Sequence, residues 1–196
     1  MNVFFQLAEV ATAECKLSAF AKEFSNKSLD YKELDKPVKF VCENTRNCPI
    51  DGNNGCWDGE RGNSKWMPDK DYIPPHEGTA NYKNPNNLTW SEIFDKYGID
   101  GIPFKDGEPD FSEVSKGTVE IEPFSNERSD NFDKADIELA KQKGCTPEEV
   151  AKWRKENNYT WHECKDMKTI QKVPNEIHAN VPHSGGISES KKGAGE

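Results

Sequence analysis

The chain has 196 residues, room for one domain of good size or two small ones. Only 33% are hydrophobic and mean hydropathy is -0.95, so a compact core covers part of the chain, helped by ten Phe, five Trp and five Tyr. The net charge of -9 argues at first sight against a nucleic-acid binder, and no apolar run approaches a membrane span.

Val3-Phe4-Phe5 has no basic residues before it and no clean cleavage site, so it does not read as a signal peptide. An export signal would then come from a larger parent chain. Residues 5–24 place Phe5, Leu7, Val10, Leu17, Phe20 and Phe24 at helical spacing, which predicts a helix or helix pair with Cys15 on its face. Residues 37–41 predict a short strand. From 43 to 88 the chain is rich in Asn, Gly, Pro and Asp, and Trp57, Trp66 and Tyr72 stud it. That mixture predicts an ordered, loop-rich segment rather than a linker. Cys42, Cys48 and Cys56 fall here at spacings wider than paired zinc ligands, which favours a disulfide between two of them. His76 follows Pro74-Pro75 in a loop and carries no catalytic expectation.

Thr89 to Tyr97 predicts a short helix stopped by Gly98. Residues 102–104 and 107–111 read as turns, and 118–121 as a strand. Residues 130–143 predict a helix with Phe132, Ala135, Leu139 and Ala140 inward and Gly144 as its stop. Thr146-Pro147-Glu148-Glu149 opens a second helix with a capping box and Pro at the first helical position; it runs to about Asn157, with Val150 and Trp153 inward. Strands follow at 159–164 and 168–173 around a Lys165-Asp166-Met167 turn. Pro174 opens a short helix through His178, and Pro182 ends it. The tail after Gly186 is Ser, Lys, Gly and Glu and reads as disordered.

Charge is uneven. Residues 1–129 hold 15 Lys/Arg against 23 Asp/Glu, whereas 141–172 hold eight against five. The C-terminal part is thus locally basic, as a phosphodiester substrate requires, although a solvated helix face gives the same pattern. Three of the four histidines lie there: His162, His178 and His183. A hairpin followed by a helix can hold one divalent metal between strand end and helix, with a nearby group taking a proton from water. His162 is the leading candidate, as general base or as metal ligand. Glu163 is adjacent and points to the opposite face of a regular strand, so both serve one site only if the strand is irregular. His178 is a candidate catalytic residue, as metal ligand or phosphate contact, and His183 a candidate ligand; His183 is about 140° further round an ideal helix and reaches the metal only because Pro182 breaks it. Asn175 is placed to pin the loop, Asp166 to add an oxygen ligand, and Lys168 and Lys172 to contact phosphate. A lone histidine is usually a packing or surface residue; three within 22 residues favour function. Cys164 reads as a buried thiol with zinc ligation as the alternative, and Trp161 as core.

Tyr-Thr-Trp-His-Glu-Cys at 159–164, Gln-Lys-Val-Pro-Asn-Glu-Ile-His at 171–178 and Pro-His-Ser-Gly-Gly at 182–186 resemble toxin nucleases of the HNH/endonuclease VII superfamily, near the branch with a Trp-His-His signature. Phe104 to Phe111 and Asn131 to Asp136 extend the resemblance, which covers roughly residues 98–188. It implies an α+β fold with a ββα-metal core and metal-dependent DNA cleavage with Mg²⁺, Mn²⁺ or Zn²⁺. It also implies a cognate immunity protein. Such domains are C-terminal warheads of bacterial polymorphic toxins, including contact-dependent inhibition toxins. They are secreted or delivered from the cell surface and act in the target-cell cytoplasm. On this pattern His162 matches the signature histidine, and His178 and His183 the later pair. The chain departs at Glu163, where the branch has His, and Asn175 is the nearest stand-in for the middle Asn of the HNH pattern. The expected division is 1–90 as an N-terminal region of cytoplasm-entry type, 91–188 as nuclease, and 189–196 as a disordered tail. A ribonuclease on the same scaffold and a non-catalytic, zinc-stabilised binding module are the alternatives; a structural site closes with four protein ligands, a catalytic one stays open.

Overall fold

The computed structural model describes residue 45 and residues 47–74 and 83–193. The helix expected in 5–24, the strand at 37–41, Cys15, Cys42 and His76 lie outside the described residues.

The first sheet has four antiparallel strands in the order β1 (Gly55–Trp57), β2 (Lys65–Pro68), β3 (Ile102–Lys105) and β4 (Glu108–Pro109). Its register pairs Trp57 with Trp66, Trp66 with Ile102, and Phe104 with Pro109. Two expectations need correction here. Residues 102–104 and 107–111 are the arms of a hairpin, turned by Asp106 and Gly107 at φ 51° and 73°, rather than turns. The aperiodic stretch around 55–68 is also a hairpin, because Trp57 and Trp66 alternate with polar residues on strands too short to show a period. The sheet joins segments on both sides of residue 90. Cys56 is disulfide-bonded and Cys48 is not.

Helix α1 (Trp90–Tyr97) crosses between β2 and β3. Its ends follow local chemistry. Thr89 and Glu92 form a reciprocal capping box, and Gly98 takes the left-handed conformation that stops the helix. After a 3-10 turn at Ser112–Val114 comes the second sheet, in the order β5 (Thr118–Glu120), β7 (Thr169–Pro174) and β6 (Tyr159–Glu163), antiparallel throughout. Between β5 and β6 run α2 (Arg128–Lys143) and α3 (Pro147–Glu156), the latter opened by the Thr146–Glu149 capping box. Helix α4 (Asn175–His178) follows β7 directly. Helix α5 (Gly186–Gly193) stands where the composition predicts disorder; Lys192–Glu189 at 2.8 Å and a Ser190 hydroxyl bond to the Ile187 carbonyl support it locally.

The fold is therefore α+β, with five helices among the described residues and a ββα unit of β6, β7 and α4. That unit lies between two cores. Trp161 and Ile170 join Val119, Leu139 and Val150 on one side, whereas Val173 and Ile177 join Trp57, Trp66, Trp90 and Phe111 on the other. Trp153, expected inward, is 39% exposed.

Candidate metal centre and cleft

Strand β6 ends in His162 and Glu163, and both are buried. The ladder stays regular through the pair, with His162 opposite Gln171 and Glu163 opposite Ile170. The expected irregularity is absent, yet both residues line one cleft of about 430 Å³. The cleft sits across the strand's end, where both faces can reach it. Arg128, Asn175, His178, His183 and Lys83 also line it.

His162, His178 and His183 converge. One ring nitrogen from each lies within 4.8 Å of the others. His162 Nδ1 is 3.2 Å from His178 Nε2. His183 Nδ1 lies 2.7 Å from the Val181 carbonyl and donates to it, which leaves Nε2 with its lone pair for a ligand. Burial holds the His178 pKa well below its ordinary 6.5, with the neighbouring His183 and His162 adding to the effect. Burial likewise pushes His183 down to about 3. Both rings are thus neutral at physiological pH, the form that binds metal. Three imidazoles at this spacing fit a divalent first-row ion.

The scaffold explains the convergence. Phe111 stands edge-on to His162 and His183, with centroids 5.0 and 5.6 Å away, and tilted 5.7 Å from His178. Helix α4 is pinned from below, because buried Glu176 accepts from Lys96 Nζ at 2.6 Å and from the Tyr97 hydroxyl at 2.5 Å. Burial and that carboxylate keep the Tyr97 hydroxyl protonated far above its ordinary range. The glycines after His183 admit close packing. A Cβ on Gly185 would come within 2.5 Å of the Glu163 carbonyl, and one on Gly186 within 2.6 Å of the Cys164 carbonyl.

Glu163 reaches toward α2. Its carboxylate accepts from Asn131 Nδ2 at 2.8 Å and from Arg128 Nε at 3.0 Å. Arg128 is 60% exposed, so its remaining guanidinium edge faces the cleft and solvent.

Three sequence expectations are corrected by placement. Asp166 caps its own hairpin turn, accepting from the Lys168 and Thr169 amides and the Thr169 hydroxyl, and does not line the cleft. Lys168 is paired with Glu120 at 2.8 Å on the outer edge. Lys172 is buried opposite Trp161 in the ladder, its ammonium 4.2 Å from the Trp153 ring centroid, and burial lowers its pKa. Residue 172 alternates onto the α2/α3 face, away from His162. The cations at the cleft are Arg128 and Lys83 instead.

Cys164 is half-buried beyond the strand end, and burial pushes its thiol up to about 12, with Glu108, Asp166 and Asp110 adding. The sequence reading missed Glu108, Phe111, Asn131 and Glu176. The residues 104–111 and 131–136 quoted in the resemblance do contain the first three.

Residues 101–185 match the family model for the DNase/tRNase domain of colicin-like bacteriocin. The matched segment includes the three histidines, Glu163 and Arg128, and it supports a bacteriocin-like toxin nuclease domain. No curated protein matches the chain. Among the described residues, no helix is long and apolar enough to cross a membrane.

Proposed function

We propose that this chain carries an HNH-type, metal-dependent endonuclease that hydrolyses DNA in a target cell, as the warhead of a secreted or contact-delivered antibacterial toxin. The observation that carries the reading is the convergence of three imidazoles with a carboxylate and a guanidinium edge in one cleft. His162, His178 and His183 would hold the ion through Nδ1, Nε2 and Nε2. When bound, a divalent ion supplies Lewis acidity toward a phosphate oxygen and the leaving oxygen. The nitrogen-rich donor set suits Zn²⁺ or Mn²⁺ better than Mg²⁺.

With its Nδ1 committed to the triad, His162 is a ligand rather than the base. Glu163 takes that role: it lines the cleft, and Arg128 and Asn131 hold its carboxylate in place. It accepts the proton of an attacking water. Arg128 and Lys83 orient the phosphate. The open side of a three-ligand site favours catalysis over a structural zinc site. The folded nuclease unit reaches back to β1, because β1 and β2 complete its first sheet. A cognate immunity protein protects the producer by covering the cleft.

The test is cleavage of plasmid DNA and total RNA by the purified protein with Mg²⁺, Mn²⁺, Zn²⁺ or EDTA, beside His178→Ala. Metal-dependent loss of plasmid that disappears in the variant is the expected result. Intact plasmid with degraded RNA would support the second reading, a ribonuclease on the same scaffold, which the DNase/tRNase description of the matched family favours. Neither substrate cut, with metal retained, overturns the nuclease reading.

A further inference from the structure

The Nε2 atom of His162 is buried and has no hydrogen-bond partner among the described residues. The ring is 1% exposed, and its other nitrogen already faces the triad. Nε2 points the opposite way, toward Glu108 Oε1 at 3.8 Å. The thiol of Cys164 completes a group in which sulfur, carboxylate oxygen and Nε2 lie within 4.8 Å of one another. A buried ring nitrogen without a partner costs free energy unless something fills its lone-pair direction or accepts its proton.

We propose that Cys164, Glu108 and the Nε2 edge of His162 form a second metal site, thiophilic and back to back with the triad, whose occupation withdraws His162 from the catalytic centre. The proposal rests on the reading of the triad as a metal centre only for that consequence; the site itself does not.

Sulfur and imidazole together select Zn²⁺ over Mg²⁺ or Mn²⁺. Ligand atoms around a tetrahedral Zn²⁺ stand roughly 3–4 Å apart. The present spacing therefore closes with a shift of about an ångström in the Glu108 and Cys164 side chains, neither of which is fully buried. Glu108 is held nearby, since its Oε1 accepts from the Lys165 amide at 2.7 Å.

Exclusivity follows from the ring. A neutral imidazole offers one lone pair at a time. Binding at Nε2 leaves the proton on Nδ1, and the thiol proton goes to solvent. His162 then cannot ligate the triad ion. Zn²⁺ beyond what the triad needs therefore shuts cleavage off, and loss of Cys164 relieves that inhibition.

The test is a Co²⁺ titration of the full chain followed by absorbance. Thiolate ligation produces an intense near-ultraviolet charge-transfer band that histidine and carboxylate ligands do not. The band is expected in the native protein, in Cys145→Ser and in His178→Ala. It is expected to vanish in Cys164→Ser and to need about tenfold more Co²⁺ in Glu108→Gln. A native protein without the band, or a band that survives Cys164→Ser, overturns the proposal. Should Cys164→Ser not fold, iodoacetamide labelling of the native protein decides: Zn²⁺ must protect Cys164, and equal labelling with and without Zn²⁺ overturns the site. A thiolate band in a protein that cuts neither DNA nor RNA would remove the nuclease reading and leave this site standing.

Discussion

His162 Nδ1 and His178 Nε2 stand 3.2 Å apart, one on strand β6 and the other on the short helix α4 that follows its hairpin partner β7. In the metal-free protein one ring must donate to the other. A bound cation takes both lone pairs instead. His178→Ala therefore removes a ligand and lowers metal affinity by more than the ~10–100-fold that supporting partners are worth. Calorimetric titration with Zn²⁺ measures this, and an unchanged affinity would discard His178 as a ligand.

Glu163→Gln keeps the shape and an acceptor oxygen for Asn131 while removing the proton acceptor. The expected loss in kcat is about 10²–10⁴-fold, with metal affinity within a few-fold of the native value. Full activity in this variant would return the base to another group.

Arg128→Ala should raise KM for DNA and flatten its salt dependence, because a phosphate contact is lost. Lys168→Ala, on the outer edge with Glu120, should leave both unchanged. A salt-dependence change in the Lys168 variant alone would reverse this assignment.

Acid should destabilise the metal-free protein in a particular window. His183 titrates at about 3 when folded and His178 well below its ordinary 6.5, whereas both return to about 6.5 on unfolding. Between those values the unfolded chain binds protons that the folded chain refuses. Stability therefore falls as pH drops through 6.5 toward 3, by at most about 1.4 kcal/mol per pH unit for each ring. Melting curves in EDTA should show a shallower pH slope for His183→Asn than for the native protein; equal slopes would refute the assignment.

Asp136 is buried and accepts from Trp161 Nε1 at 2.8 Å and Arg154 Nη2 at 2.8 Å. Asp136→Ala strands a largely buried guanidinium and an indole N–H together. A loss of roughly 3–5 kcal/mol is expected in denaturant melts. A change under ~1 kcal/mol would show that solvent rescues both donors.

What could be read from the sequence was local. The Thr146-Pro147-Glu148-Glu149 start, the Gly98 and Gly144 stops and the hairpin at 159–174 follow from residues a few positions apart, and they stand where the pattern puts them. The three histidines could be grouped because hairpin and helix are contiguous. Partners brought in from afar could not be found this way. Glu163 meets Arg128 and Asn131, and Glu176 meets Lys96, only once the helices dock. Lys168 and Lys172 looked like phosphate contacts because charge shows in sequence and facing does not; strand alternation sends Lys172 to the other side of the sheet, and Glu120 holds Lys168.

Phe111 comes from the stretch after the first sheet, yet its ring is in contact range of all three histidines. The ββα unit and the loop after it contain every candidate ligand of the triad but not the wall behind them. A chain emerging from synthesis thus holds its triad residues without an arranged centre until residues separated by some 50–70 positions have docked, so assembly of the centre waits on long-range folding.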